Sequence, residues 1–102
     1  MNTEQLLKDS KARFSHNSAK FALSEKYANK LIIVEQHGLW KITPEIIAYL
    51  NSLGNTEETI ILDEYKDPKK VKVTNLRKKF TEVYNEVMQE WYNEWSMLEG
   101  KK

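Results

Sequence analysis

The chain has 102 residues, of which 40% are hydrophobic and 30% are charged, and its formal net charge is +1. A chain of this length is expected to form a single domain, 1–102, and the composition is typical of a globular protein. Because there is no cysteine, a disulfide framework, a thiolate metal site and a cysteine nucleophile are excluded. No run of about 18 apolar residues occurs, so we expect neither a signal peptide nor a membrane-spanning helix, and we predict an intracellular protein.

The N-terminal part of the chain is predicted to be helical. Thr3 can cap a first amphipathic helix, and Asn17 or Ser18 can cap a second stretch, AKFALSEKYAN. The sequence leaves open whether these are one bent helix or two. Segment 1–17 is expected to form an N-terminal helical segment, projecting as an arm, with less order than the rest of the chain. The apolar positions of the two stretches are Leu6, Leu7, Phe14, Phe21, Ala22, Leu23 and Tyr27.

A first β-hairpin is predicted next, because KLIIVEQ and LWKI flank the dipeptide HG. Gly38 is expected to supply the positive φ of the reversal. A short helix then begins at Thr43-Pro44, where a capping oxygen precedes a proline that needs no amide donor. Its apolar stripe includes Leu50, and Gly54 is expected to end it in the left-handed conformation.

A second hairpin is predicted from ETIILDE and KVKV, on either side of the Asp-Pro turn in YKDPK. Thr74 is expected to cap a last helix that runs to about Leu98, and Gly100 can terminate it. The predicted fold class is therefore α+β, a helix-dominated domain of order α-ββ-α-ββ-α with a long C-terminal amphipathic helix. Because an isolated two-stranded ribbon is marginal in water, the hairpins must pair with each other or lie against helices.

The last helix contains a four-residue repeat of polar, Glu, apolar and apolar or Ser residues from Thr81 to Ser96. A step of four advances 400° on a helix, so the apolar band drifts by about 40° per unit and one flat neighbour cannot cover it. The rings are either this protein's own core or a docking surface for a partner or a second copy. The proposed anchors are Trp91, Tyr92, Trp95 and Leu98, with Glu90 and Glu94 as a polar rim.

The charges of the chain are segregated. Residues 66–79 carry seven basic side chains against one aspartate, a net charge of +6, whereas residues 80–99 carry five glutamates and no base, a net of −5. This pattern predicts a locally charged binding face, with a solvated surface and a nucleic-acid contact as the alternatives. The candidate basic patch is Lys66, Lys69, Lys70, Lys72, Arg77, Lys78 and Lys79.

No catalytic constellation is present in the sequence. His16 and His37 are far apart and neither lies in a nucleophile pattern, and the three glycines form no phosphate loop. The glutamates lack the histidine three residues later that helical metal sites use. We therefore expect no enzyme activity, cofactor, metal or small-molecule substrate, and no membrane partner.

The segments LWKITPEIIAYL, ILDEYKDPKKVKV and VYNEVMQEWYNEW together resemble small proteins of contractile-tailed phages, especially those that infect marine cyanobacteria. The resemblance covers roughly residues 18–98 and is one of overall pattern. It implies a non-enzymatic virion component of the tail or baseplate, or an assembly helper, acting by protein–protein contact in the cytoplasm of the infected host cell or in the virion. The alternative is a small nucleic-acid-associated or transcription-regulating accessory protein that uses residues 66–79.

Overall fold

The computed structural model describes the backbone of residues 3–100 and the side chains of residues 16–100. The chain forms α1 (Thr3–Lys30), β1 (Ile32–Glu35), β2 (Gly38–Lys41), α2 (Pro44–Ser52), β3 (Glu58–Leu62), β4 (Pro68–Lys72) and α3 (Val73–Glu99). The strands make two separate antiparallel hairpins, β1-β2 and β3-β4. This confirms the predicted α+β order with its long C-terminal helix.

Helix α1 is one continuous helix, which answers the question left open by the sequence. Asn17 and Ser18 lie inside it, so neither caps a second helix. The predicted cap at Thr3, the apolar stripe of Leu6, Leu7 and Phe14, and the lower order of segment 1–17 lie outside the described side chains.

The first hairpin turns at Gln36 and His37, which have φ values of 45° and 64°. Two consecutive positive φ values are those of a type I′ turn, which matches the twist of the flanking strands. The prediction that Gly38 supplies the positive φ is therefore wrong. Gly38 is needed for another reason, because a Cβ there would stand 2.6 Å from Cζ2 of Trp40. The indole packs over this glycine and donates to the Glu35 carbonyl at 2.7 Å.

The predicted signals of α2 are confirmed. The Thr43 hydroxyl accepts a hydrogen bond from the Ile46 amide at 3.2 Å, and Pro44 is the first helical residue. Gly54 follows the C-cap with φ 55°, a conformation that glycine adopts without steric cost. The helix buries Leu50 completely.

The two hairpins are joined through Asp63, which is buried at the end of β3. Its Oδ1 accepts from the amides of Tyr65 at 2.9 Å and Asp67 at 3.1 Å, and its Oδ2 accepts from the amide of Leu39 in β2 at 3.3 Å. Burial favours the neutral acid, but these amides and Lys69 outweigh it and lower the pKa of Asp63. The sequence attributes this turn to Asp67-Pro68, but the hydrogen bonds that hold it are accepted by Asp63.

A second bridge between the hairpins comes from Gln36. Its side-chain oxygen accepts from the Lys72 amide at 2.8 Å, and its side-chain nitrogen donates to the Lys72 carbonyl at 3.3 Å. Lys72 also precedes α3 as its N-cap, without a side-chain capping bond. The predicted Thr74 cap is wrong, because the N-cap is Lys72, two residues earlier. The first helical residue, Val73, donates its amide to the Glu57 carbonyl at 3.0 Å.

The hydrophobic core lies between the hairpins, α2 and the first half of α3. Trp40 meets Phe80 edge to face, with ring centroids 6.0 Å apart. We call this part of the molecule the body. Its fully buried members are Trp40, Ile42, Leu50, Val71, Val73, Leu76 and Phe80.

Beyond the body, α1 and α3 run antiparallel and form an extension that we call the helical arm, residues 16–30 with residues 87–99. The molecule measures 65 × 25 × 19 Å and its radius of gyration is 19.4 Å. A compact domain of this length has a radius of gyration of about 13 Å. The two long helices α1 and α3 therefore account for the elongated shape. Helix α3 ends at Glu99 with Gly100 as a right-handed C-cap, φ −67°.

Candidate protein-contact face on the helical arm

A row of buried and half-buried residues on α3, which we call the seam, faces α1 along the arm and holds the arm together. These residues are spaced alternately by four and three positions. A 3.5-residue repeat keeps a stripe facing one neighbour helix, whereas a strict four-residue repeat drifts away from it. The four-residue sequence repeat therefore places only part of its rings on α1. The seam positions that are buried or half-buried are Phe80, Tyr84, Val87, Trp91, Glu94 and Leu98.

The centre of the seam is a stack of Trp91 on Tyr27. Their rings are nearly parallel, at 11°, with centroids 5.8 Å apart. The ammonium groups of Lys26 and Lys30 stand 5.1 Å and 5.0 Å from the centroid of the Tyr27 ring. Trp91 was predicted to be a partner anchor, but the structure places its ring on α1.

The two glutamates predicted as a polar rim bind within the arm as well. Glu94 accepts hydrogen bonds from Lys26 at 2.5 Å and from the Tyr27 hydroxyl, and Glu90 pairs with Lys30 at 3.1 Å. The bond from Lys26, followed by that from Tyr27, lowers the pKa of Glu94. The same carboxylate raises the pKa values of Lys26 and Tyr27. These glutamates therefore fasten α3 to α1.

The end of the arm carries a further ionic contact. Glu99 Oε1 lies 3.1 Å from the Lys20 ammonium and 3.4 Å from Nε2 of His16. His16 of α1 thus belongs to a contact between the two helices.

Large apolar side chains remain exposed on one side of the arm. Tyr92 is 61% exposed and Trp95 is 39% exposed, and their rings are 6.1 Å apart. Met88 precedes them by four and seven residues, which places all three on one side of α3. Phe21 of α1 is 66% exposed. We call these four residues the aromatic face.

Phe21 joins this face because the helices are antiparallel. In such a pair, residues rotated in the same sense from the seam emerge on the same side. At about 100° per residue, Phe21 is rotated about 120° from Tyr27, and Tyr92 about 100° from Trp91. The intervening residues of α1 on this side, Ser24 and Ala28, are small and uncharged.

The opposite side of the arm has a different character. It carries the Lys30–Glu90 and Lys26–Glu94 pairs and an open groove of about 360 Å³. Met97 lines this groove and is 64% exposed. The lining residues are Ala19, Leu23, Glu94, Met97 and Leu98. The predicted anchor Leu98 is thus a seam residue at the edge of this groove, and it does not lie beside Tyr92.

The predicted basic patch is divided by the structure. Arg77 donates to the carbonyls of Leu50 and Gly54 at 3.4 Å each and so caps the end of α2. Lys69 is half-buried beside Asp63, and Lys70 pairs with Glu58 at 3.4 Å. Exposed side chains without such a described role are Lys66, Lys72, Lys78 and Lys79.

Two features of the molecule were not identified from the sequence. Asp63 and Gln36 join the hairpins, although each looks like an ordinary turn residue. Phe21 was assigned to an apolar stretch, although its spacing from Leu23 and Tyr27 already places it off the seam. On the helical wheel of α1, Phe21 lies about 120° from Tyr27.

Within the described side chains, no group of three or more histidine, aspartate or glutamate residues is arranged to hold a metal ion. Among the described residues, no helix combines the length and apolar character needed to cross a bilayer. No protein-family model matches the chain, and neither a curated protein nor a solved structure gives a significant match.

Proposed function

We propose that the protein acts by protein–protein contact, without catalysis, and that the aromatic face of the helical arm is its contact surface. The main support for this proposal is that the two sides of the arm differ in their side chains. One side has the ion pairs that fasten α3 to α1, and the other presents Phe21, Tyr92 and Trp95 to solvent.

Burial of the exposed rings against a partner would contribute favourable free energy to binding. Phe, Tyr and Trp bury roughly 150–250 Å² each, and between 39% and 66% of each of these three residues is exposed. At about 25 cal/mol per Å², covering the exposed parts would contribute on the order of 8 kcal/mol before the costs of association. Isolated exposed rings are common on proteins, but a cluster of exposed rings is typical of a contact surface.

The biological setting that we propose follows the sequence resemblance. In that setting the protein is a tail or baseplate component of a contractile-tailed phage, or a helper in its assembly. An elongated arm with a contact face at its side suits a role in which one small protein bridges others. This part of the proposal rests on the pattern of the sequence alone.

The proposal is tested by photo-cross-linking in the cells in which the protein is naturally made. A benzophenone amino acid replaces Tyr92 in one variant and Met97 in the other. The two positions are similarly exposed but about 140° apart on α3. We expect protein adducts from position 92 and few from position 97. Equal yields at both positions, or none at either, would contradict the proposed contact face.

A further inference from the structure

We infer that the outer edge of β3 pairs with β3 of a second copy of this chain, so that two hairpins join into one continuous four-stranded antiparallel sheet. This edge belongs to the body, so the inference goes beyond the proposed function and does not depend on the aromatic face. Within the described residues, β3 has β4 as its one strand neighbour. A two-stranded ribbon is marginal in water, and further strands stabilise it.

The backbone of β3 presents a regular row of hydrogen-bonding groups along this edge. At the two ends of the hairpin, the Val73 amide donates to the Glu57 carbonyl and the Asp63 amide donates to the Asp67 carbonyl, each at 3.0 Å. In an antiparallel pair, residues bonded to the neighbour alternate with residues whose amide and carbonyl point away from it. No backbone hydrogen bond outside the hairpin uses those outer groups in the part of the chain that the structure describes. The residues that carry them, which we call the edge residues, are Glu58, Ile60 and Leu62.

The opposite edge of the same hairpin is blocked. On β4 the groups that point away from β3 belong to Pro68, Lys70 and Lys72. Proline has no amide hydrogen, and both backbone groups of Lys72 are bonded to the Gln36 side chain. Proline and lysine are the residues with which natural proteins keep an edge strand unpaired. Strand β3, ETIIL, contains neither, so the edge that is open to a further strand is that of β3.

The body leaves space beside β3. On the inner face of the hairpin, Val71 of β4 is 1% exposed. Its cross-strand partner Thr59 and the neighbouring Ile61 are only half-buried. The core therefore lies mainly beneath β4, and β3 is at its margin. A strand added to β3 would cover these two side chains as well as the free backbone groups.

The strand is compatible with its own copy in one register. A two-fold axis at Ile60 places this residue opposite its symmetry mate and Glu58 opposite Leu62 of the second copy. Each edge residue then exchanges both backbone hydrogen bonds with an edge residue of the other chain. Ile60 and Leu62, which are 64% and 59% exposed, gain apolar neighbours across the axis. On the inner face, Thr59 meets Ile61 of the second copy, a kind of cross-strand pair that stabilises sheets.

Neighbouring registers are less favourable. A shift toward the hairpin turn places Glu58 opposite Glu64 of the second copy, and like charges directly opposite destabilise a sheet. A shift the other way places Leu62 opposite Thr56, outside the strand. The register centred on Ile60 avoids both, and this self-complementarity favours a second copy as the occupant. The paired segment is only about 17 Å long at about 3.4 Å per residue, so we expect a weak dimer with a dissociation constant on the order of 100 µM.

Disulfide formation tests the pairing in the full chain, which has no natural cysteine. In Ile60→Cys the two thiols lie across the axis, where the Cα atoms of a bonded pair are about 5.5 Å apart, a separation that a disulfide spans. Val34→Cys is the matched control, because Val34 of the other hairpin is 73% exposed. We expect position 60 to give a disulfide-linked dimer several-fold faster than position 34. Equal rates would overturn the proposed pairing.

Charge substitution at the same position distinguishes a lost interface from a damaged fold. Ile60→Lys and Ile60→Glu each place like charges across the axis, so each variant alone should dimerise at least about tenfold more weakly than the natural chain. An equal mixture of the two should recover association, because an ammonium group then faces a carboxylate. Sedimentation up to about 500 µM measures the dimer fraction, and circular dichroism checks that each variant is folded.

Three results would refute the dimer: a natural chain that stays monomeric over this range, a dimer that tolerates either charge, or a mixture of folded variants that does not associate. Tyr92→Gln, on the aromatic face, should leave the dimer unchanged. Loss of the dimer in that variant would place the interface on the helical arm instead of on β3.

Discussion

The adjacent residues Trp91 and Tyr92 are expected to respond very differently to replacement by alanine. Trp91 lies in the seam, stacked on Tyr27 at 5.8 Å. A buried Trp→Ala change costs about 3–5 kcal/mol, and the partial burial of Trp91 predicts the lower end, about 3 kcal/mol. Tyr92 is mostly exposed, and because alanine is the better helix former, its replacement should change the free energy of unfolding by less than about 1 kcal/mol.

Urea denaturation followed by far-ultraviolet circular dichroism measures this difference. A loss of about 3 kcal/mol should also lower the melting temperature of a domain this size by roughly 12–24 °C. Each variant is measured at two protein concentrations, because association would add a concentration-dependent term. Met97→Ala, at another exposed position of the arm, is the control. Equal losses for the two variants, or a larger loss for Tyr92→Ala, would refute the assignment of seam and face.

Gly38→Ala should lower the free energy of unfolding by about 1–3 kcal/mol, because the new Cβ would meet the Trp40 indole at 2.6 Å; an unchanged melting temperature would show that the indole moves aside freely. Because folding lowers the pKa values of Asp63 and Glu94, their stabilisation is complete above their unfolded pKa values of about 4 and is lost as the pH falls through the folded values. Asp63→Asn should reduce the loss of unfolding free energy at acid pH, as measured by chemical denaturation. An unchanged dependence on pH would contradict a stabilising role for the Asp63 carboxylate. If residues 66–79 bind nucleic acid, four free lysines predict a loss of affinity of up to about 100-fold between 50 and 200 mM salt; fluorescence anisotropy that detects no binding at low salt would remove this alternative.

The elements that the sequence predicted correctly are those with local signals. Thr43, Pro44 and Gly54 delimit α2 through hydrogen bonds and dihedral preferences that involve only neighbouring residues. The strands alternate as expected, so that Lys70 and Lys72 point outward from Val71. Local chemistry was sufficient at these places because no distant segment competes with it.

The incorrect predictions concern choices made by distant contacts. Gly38 does not take the positive φ, because its pairing with Glu35 makes Gln36 and His37 the two turn residues, and the glycine instead leaves space for the Trp40 indole. Thr74 does not cap α3, because the helix already begins at Val73, whose amide is held by the Glu57 carbonyl of the second hairpin. Neither partner can be inferred from the residues adjacent to the turn or the cap.

The candidate site shows the same limit. The repeat predicted more rings than one neighbour helix can cover, and the structure leaves Tyr92 and Trp95 exposed. Which rings those are depends on where α1 crosses α3, and this is set by Tyr27 and by the ion pairs of Lys26 and Lys30. The division of the predicted anchors between the seam and the aromatic face therefore could not be obtained from periodicity alone.

Hydroxyl-radical footprinting with mass spectrometry measures which rings of α3 are covered by α1, since it compares Tyr92 with Trp91 in the same molecule. In the dilute chain, Tyr92 and Phe21 should be oxidised readily relative to their intrinsic reactivity, while Trp91 is protected. When a partner protein binds the aromatic face, the rates at Tyr92 and Phe21 should fall several-fold and that at Met97 should not. Protection of Tyr92 equal to that of Trp91 in the dilute monomer would mean that the chain covers its own rings, and it would contradict the contact face.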